Sequence, residues 1–223
     1  MSSILLKSRS LGVLLIHGFT SSPEQMLPFA QELNKYGITC LLPRLSGHEN
    51  LPDSLADVKA EDWLQDAEKG FKQLRTEVEH VVIAGHSLGG TLALYLAQHY
   101  SKEDGLVAAG VINPAVRLTP EQRRAITFGR FYEKKVDISM KPFRALRKTI
   151  DSVRNDLKHV KVPVIIFASS EDELIPHAYQ QWLFDRLRAT KFFITLPQEG
   201  HSPSPEAAEV IIKTFLVLVD TLL

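Results

Sequence analysis

Cysteine is almost absent from this 223-residue chain, where Cys40 is the only one. One thiol cannot close an intramolecular disulfide, and its setting in Ile38-Thr39-Cys40-Leu41-Leu42 reads as a small buried hydrophobe, which fits a reducing compartment. Neither sign of charge is in excess, because 26 Lys and Arg balance 26 Asp and Glu. With no global field, nothing recruits nucleic acid or an anionic membrane electrostatically. Long apolar runs are missing too, none nearing the ~20 residues that cross a bilayer. Lys7 and Arg9 do precede an apolar run, but it spans only Leu11 to Ile16 and enters His17-Gly18-Phe19-Thr20 without a small-residue cleavage pattern, so it does not read as a signal peptide. Gly and Pro number 12 each, too few for a collagen-like or low-complexity chain. The expectation is a soluble cytoplasmic protein with a single globular domain over 1–223, no stable membrane insertion and no nucleic-acid partner.

What is present is a rhythm. Apolar runs of strand length recur at Ile4–Leu6, Gly12–Ile16, Ile38–Leu42, Val81–Ala84, Val107–Ile112, Val162–Phe167 and Phe192–Leu196. They lack polar alternation, so they predict strands buried on both faces, as in a parallel sheet covered by helices. Between them, helical spacing runs through Pro23–Tyr36, where Met26, Phe29, Ala30 and Leu33 share a face, and through Glu61–Val78 with Leu64, Ala67, Phe71 and Leu74. Leu88–Tyr100 is apolar nearly all round and predicts a buried helix, while His177–Leu187 and Pro205–Leu218 complete the set. Strand and helix alternate, which defines an α/β fold with a mostly parallel, doubly wound sheet.

One stretch breaks the rhythm. Residues 115–161 are longer than a simple crossover needs and carry thirteen basic residues against five acidic ones. Too short for a core of its own, the stretch predicts a small inserted helical cap over the carboxyl edge of the sheet. Its Phe128, Phe131, Ile138, Met140, Phe143, Leu146 and Ile150 are candidates to roof an apolar pocket or to pack as core. The basic excess is either a solvated helical face or a surface that attracts anions.

Val81-Val82-Ile83-Ala84-Gly85-His86-Ser87-Leu88-Gly89-Gly90 runs from an apolar strand through Gly-x-Ser-x-Gly into a helix, the context in which that motif makes a nucleophile. A serine at so sharp a turn is held in a strained conformation, and Gly85 and Gly89 remove side chains that would collide across it. Ser87 is the candidate nucleophile, and the neighbouring His86 is read as structural, pointing away from it. A serine alcohol is weak, so it needs a base, and the base needs an orienting acid. In the chain order Ser, acid, His, the base falls in a loop after the last strand, where His201 sits in Gln198-Glu199-Gly200-His201-Ser202-Pro203. His17, His48, His80, His99 and His159 lie at the wrong places for this role, and the rival His177 opens a helix after Pro176. For the acid, Glu171, Asp172 and Glu173 stand side by side after strand Val162–Phe167. Composition alone does not choose among them; spacing from the strand and the following Leu174-Ile175-Pro176 favour Asp172. Oxyanion donors are expected from the backbone N–H groups of Leu88 and Phe19, the second in the loop after an earlier strand.

Four segments now agree in order: His17-Gly18-Phe19, Gly85-His86-Ser87-Leu88-Gly89, Asp172 and His201. Over essentially its full length the chain resembles the α/β-hydrolase family. Leu42-Pro43-Arg44-Leu45-Ser46-Gly47-His48 and Asp62-Trp63-Leu64-Gln65-Asp66 are similar to segments of bacterial carboxylesterases and monoacylglycerol lipases with a small cap. The resemblance implies a serine ester hydrolase without cofactor, acting through an acyl-enzyme on short- to medium-chain acyl esters or monoglycerides. Where those relatives read Gly-His-Gly, this chain has Gly47-His48-Glu49, and His48 is expected to stabilise its loop. Alternatives within the fold are a hydroxycinnamoyl (feruloyl) esterase, a thioesterase or a C–C bond hydrolase; outside enzymes, the alternative is a catalytically silent binding protein. No metal-ligand spacing and no phosphate-cradling glycine loop occurs in the sequence, so neither metal nor nucleotide is expected.

Overall fold

A computed structural model of the chain describes residues 4–6, 11–51, 53–128 and 140–222. Among the described residues the sheet has seven strands: β1 (Ile4–Leu6), β2 (Leu11–Ile16), β3 (Thr39–Leu42), β4 (His80–His86), β5 (Leu106–Ile112), β6 (Val164–Ser169) and β7 (Lys191–Leu196). They lie in the order β1-β3-β2-β4-β5-β6-β7, parallel from β3 to β7, with β1 antiparallel on β3 at the edge. All seven apolar runs become strands. The buried strands show why alternation was missing from the sequence. Val13 and Leu15 of β2 face one core with α1 (Leu27–Lys35) and α7 (Pro205–Leu222), while Leu14 and Ile16 face another with α2 (Ala60–Arg75), α3 (Leu88–His99) and α6 (His177–Arg186). Each strand residue finds apolar neighbours whichever way it points.

Boundaries shift from the sequence expectation at most elements, as where Val162–Phe167 becomes Val164–Ser169 and Glu61–Val78 becomes Ala60–Arg75, and two shifts lie next to the site. The Pro23–Tyr36 helix begins as a 3-10 turn over Pro23–Met26 before α1. Strand β4 runs two residues past Ala84 because Gly85 and His86 continue the ladder to Val111 and Ile112 of β5.

Between β5 and β6 lie α4 (Pro120–Phe128) and α5 (Lys141–Arg154). They share a small third cluster in which Ala115, Leu118, Ile126 and Ile150 pack with Ile175 from the loop after β6, joined by Met140, Phe143 and Leu146. Phe131 and Ile138, expected in that roof, lie outside the described residues. On α5, Lys141 pairs with Asp57 at 2.8 Å and Lys148 with Glu61, so two cations of the basic stretch are met by carboxylates, one in the turn before α2 and one in its first turn. The strand order reverses direction between β2 and β4, where a doubly wound sheet opens a crevice at its carboxyl end.

Candidate active site

At that crevice the chain turns sharply after β4. Ser87 has φ 53° and ψ −114°, a left-handed conformation that L-residues adopt only when the surroundings impose it. The surroundings are glycines by necessity: a Cβ on Gly85 would lie 2.2 Å from the main chain of Gly89. Ser87 therefore stands at the head of the buried helix α3, with Leu88 as its first residue.

A cavity of about 410 Å³ opens above this turn. Phe19, Ser87 and His201 line it together with Leu118, Ile126, Phe143 and Leu146 from the insertion and Ile175 from the loop after β6. Thr20, Ser21, Gln122 and Ser202 add neutral polar groups, and none of the described lining residues is Lys, Arg, Asp or Glu. The described cations of the basic stretch are thus not among the residues lining the cavity, consistent with a solvated face.

Behind His201 stands Asp172. Its Oδ2 accepts from His201 Nδ1 at 2.8 Å, and its Oδ1 accepts from the N–H groups of Leu174 and Ile175 at 2.8 and 2.7 Å. Both carboxylate oxygens are occupied, so the acid cannot rotate without breaking three bonds. With Nδ1 donating to Asp172, the His201 ring keeps its lone pair on Nε2, the arrangement a general base requires. Glu171 and Glu173 are exposed, as expected, although Glu173 Oε2 accepts from the His201 N–H at 3.2 Å. His177 opens α6 and leans on Thr195 and Phe193, away from this cavity.

The loop after β2 is fixed from beneath. His17, fully buried, accepts from Leu45 N–H at Nε2 (3.2 Å) and bonds the Gly18 carbonyl through Nδ1 (2.9 Å). Burial lowers its pKa to about 4, so the ring is neutral and keeps both roles. Phe19 stacks edge-on against Trp63 and Phe143, with ring centres 5.8 and 5.3 Å away. Helix α2 holds the loop of Ser46 through Asp66, which accepts its N–H at 2.7 Å, and Trp63, which donates to its carbonyl at 2.9 Å. His48 is buried in the same aromatic cluster, bonds the Ser46 carbonyl and is not among the residues lining the cavity, which fits a loop-stabilising part.

Three further residues at the site were given no part in its chemistry by the sequence. His86 was read as structural, its side chain pointing away from Ser87; its ring lines the cavity 4.8 Å from that of His201 and reaches the His201 carbonyl through Nε2 at 2.8 Å. Gln25 bridges Gly18 N–H (2.9 Å) and His86 Nδ1 (3.3 Å). Asn113, fully buried with φ 45°, donates to the His201 carbonyl at 2.9 Å and bonds Ser169 twice. A Gly-x-Ser-x-Gly frame marks His86 by position, but nothing local marks Gln25 or Asn113.

The profile of the Alpha/beta hydrolase family matches residues 13–214, and the chain belongs to that family. It is 30% identical over 198 residues to a thermostable monoacylglycerol lipase of Bacillus sp. (strain H-257), covering 81% of this chain and 78% of that one. To a carboxylesterase of Bacillus subtilis (strain 168) it is 27% identical over 185 residues, 73% of this chain and 72% of the relative. Among solved structures, one described for the metagenome-derived lipolytic enzymes LipS and LipT superposes with a TM-score of 0.86 at 23% identity, covering 98% and 97% of the two chains. The monoacylglycerol lipase of Paleococcus ferrophilus superposes with a TM-score of 0.81 at 17% identity over 100% and 99%. These two likenesses show the shared fold.

Proposed function

We propose that the protein is a serine esterase that hydrolyses neutral carboxylic esters of short to medium acyl chain, monoacylglycerols included. The observation that carries this is the pairing of Asp172 with His201 at 2.8 Å beside a cavity that also holds Ser87 on its strained turn. The named relatives, a monoacylglycerol lipase and a carboxylesterase, support the same reaction class.

In this mechanism His201 Nε2 takes the proton of Ser87 Oγ as the oxygen attacks the ester carbonyl. Asp172 holds the ring in place and stabilises the imidazolium. The tetrahedral oxyanion is received by the N–H groups of Phe19 and Leu88, and His201 returns its proton to the departing alcohol. Water then repeats the cycle on the acyl-enzyme. The segment 115–161 acts as a cap, and the apolar side of the cavity under Phe143 and Leu146 takes the acyl chain, while the uncharged lining favours neutral substrates. The cytoplasm is its proposed location.

The test is hydrolysis of p-nitrophenyl esters from acetate to palmitate by the wild type and by Ser87→Ala, with mass spectrometry after a fluorophosphonate. Activity lost with Ser87, an adduct on Ser87 and an optimum at short or medium chains are expected. An adduct elsewhere, or undiminished activity in Ser87→Ala, overturns the assignment.

A further inference from the structure

We propose that Gln25 and His86 are positioning residues for ester hydrolysis: they form one hydrogen-bonded relay that ties the loop carrying the Phe19 amide to the main chain of His201. The proposal rests on the serine-esterase reading and goes beyond it, since neither residue belongs to the nucleophile, base, acid or oxyanion donors.

The direction of every bond in the relay is set by its two ends. The Gly18 N–H can only donate, so the Gln25 atom it meets at 2.9 Å is the carbonyl oxygen Oε1. That leaves the Gln25 amide nitrogen to face His86 Nδ1 at 3.3 Å, and an amide NH2 can only donate. Nδ1 is therefore the bare nitrogen of the ring. On the other side the His201 carbonyl can only accept, so His86 Nε2, 2.8 Å away, carries the hydrogen. One neutral tautomer of His86 satisfies both ends, and a second proton would set two donors face to face. Burial, which pushes the His86 pKa down to about 4, keeps that proton off.

The relay crosses the site. It begins in the loop after β2, passes through the 3-10 turn of Gln25 and the end of β4, and finishes on the loop after β7. Asn113 supplies a second donor to the same His201 carbonyl at 2.9 Å, so this oxygen takes two bonds from buried side chains. His201 lies beyond the last residue of β7, where no strand ladder holds its backbone. Asp172 orients its ring, but where the ring stands relative to Ser87 depends on where the backbone stands. The relay makes the oxyanion loop and the base loop move as one body. A misplacement of ~1 Å in such a geometry can cost about a hundredfold in rate.

A residue that merely fills space predicts something different from a relay, and three substitutions separate the two. His86→Phe keeps ring volume and loses both polar ends. His86→Gln restores a donor towards the His201 carbonyl. Gln25→Leu keeps side-chain volume and loses both the acceptor for Gly18 and the donor to His86 Nδ1. The readouts are kcat and KM on p-nitrophenyl butyrate, the rate of fluorophosphonate labelling of Ser87, and thermal melting. His86→Phe and Gln25→Leu are expected to lower kcat and labelling rate roughly ten- to a hundredfold with KM little changed, and His86→Gln to recover most of the loss. Folded His86→Phe and Gln25→Leu enzymes with kcat within about twofold of wild type overturn the relay, as does a His86→Gln enzyme no better than His86→Phe. Should His86→Phe not fold, Gln25→Leu decides alone. A wild type that turns over no ester and takes no fluorophosphonate removes the esterase reading and this inference with it; an active wild type with unaffected variants removes the relay only.

Discussion

A methyl group on Gly89 would stand 2.0 Å from the carbonyl oxygen of Ile16 and 2.7 Å from that of His17. Helix α3 thus rests on the main chain of β2, and this close approach brings the Ser87 turn and the Phe19 loop to the same cavity. Gly89→Ala must push the two apart. Overpacking of this kind costs about 1–3 kcal/mol or more. A lower melting temperature and loss of ester hydrolysis in the soluble fraction are expected, and a fully active variant with unchanged melting contradicts the packing described.

Strain at Ser87 makes a separate prediction. Its φ of 53° suits glycine far better than serine or alanine. Ser87→Gly and Ser87→Ala both remove the nucleophile, but only the first relieves the backbone. Urea denaturation should find Ser87→Gly more stable than Ser87→Ala by about 1 kcal/mol. Equal stability would mean that the turn is not strained.

Acid should weaken the fold through three buried histidines, His17 and His86 together with His48, whose pKa burial also lowers. Burial lowers His17 and His86 to about 4 each, whereas in the unfolded chain both titrate near ~6.5. Above that pH the neutral rings contribute their full stability. As pH falls from about 6.5 towards 4, the unfolded chain binds protons that the folded chain refuses, and the contribution is lost. The melting temperature should drop across this window, and less steeply in His17→Gln, which lacks one of the three groups. Identical slopes for the two proteins would exclude His17 from the effect.

Much of this was legible in the chain itself. The apolar runs became strands, and those of β2 to β6 are buried on both faces, which leaves a run without alternation. The antiparallel direction of β1 was not legible, since three residues, Ile4 to Leu6, carry no signal of direction. Ser87 could be proposed as nucleophile because strand, glycines and helix are consecutive, and Asp172 and His201 as its partners because each follows a strand end. Gln25 and Asn113 could not: they meet His86 and His201 only after the sheet has assembled, across separations of 61 and 88 residues. His86 was read as structural from the local turn, and that turn says nothing of a carbonyl 115 residues away.

Cys40 is fully buried among the side chains under β3, and burial pushes its thiol up to about 12. Few thiolates form there at neutral pH, so alkylating reagents and dyes find no target on the native molecule. The wild-type protein is in effect a blank canvas for thiol chemistry. A cysteine placed on the outer face of α5 and another on α2 would be the only sites to take a label. The distance between those helices could then be followed during turnover without first removing a native thiol.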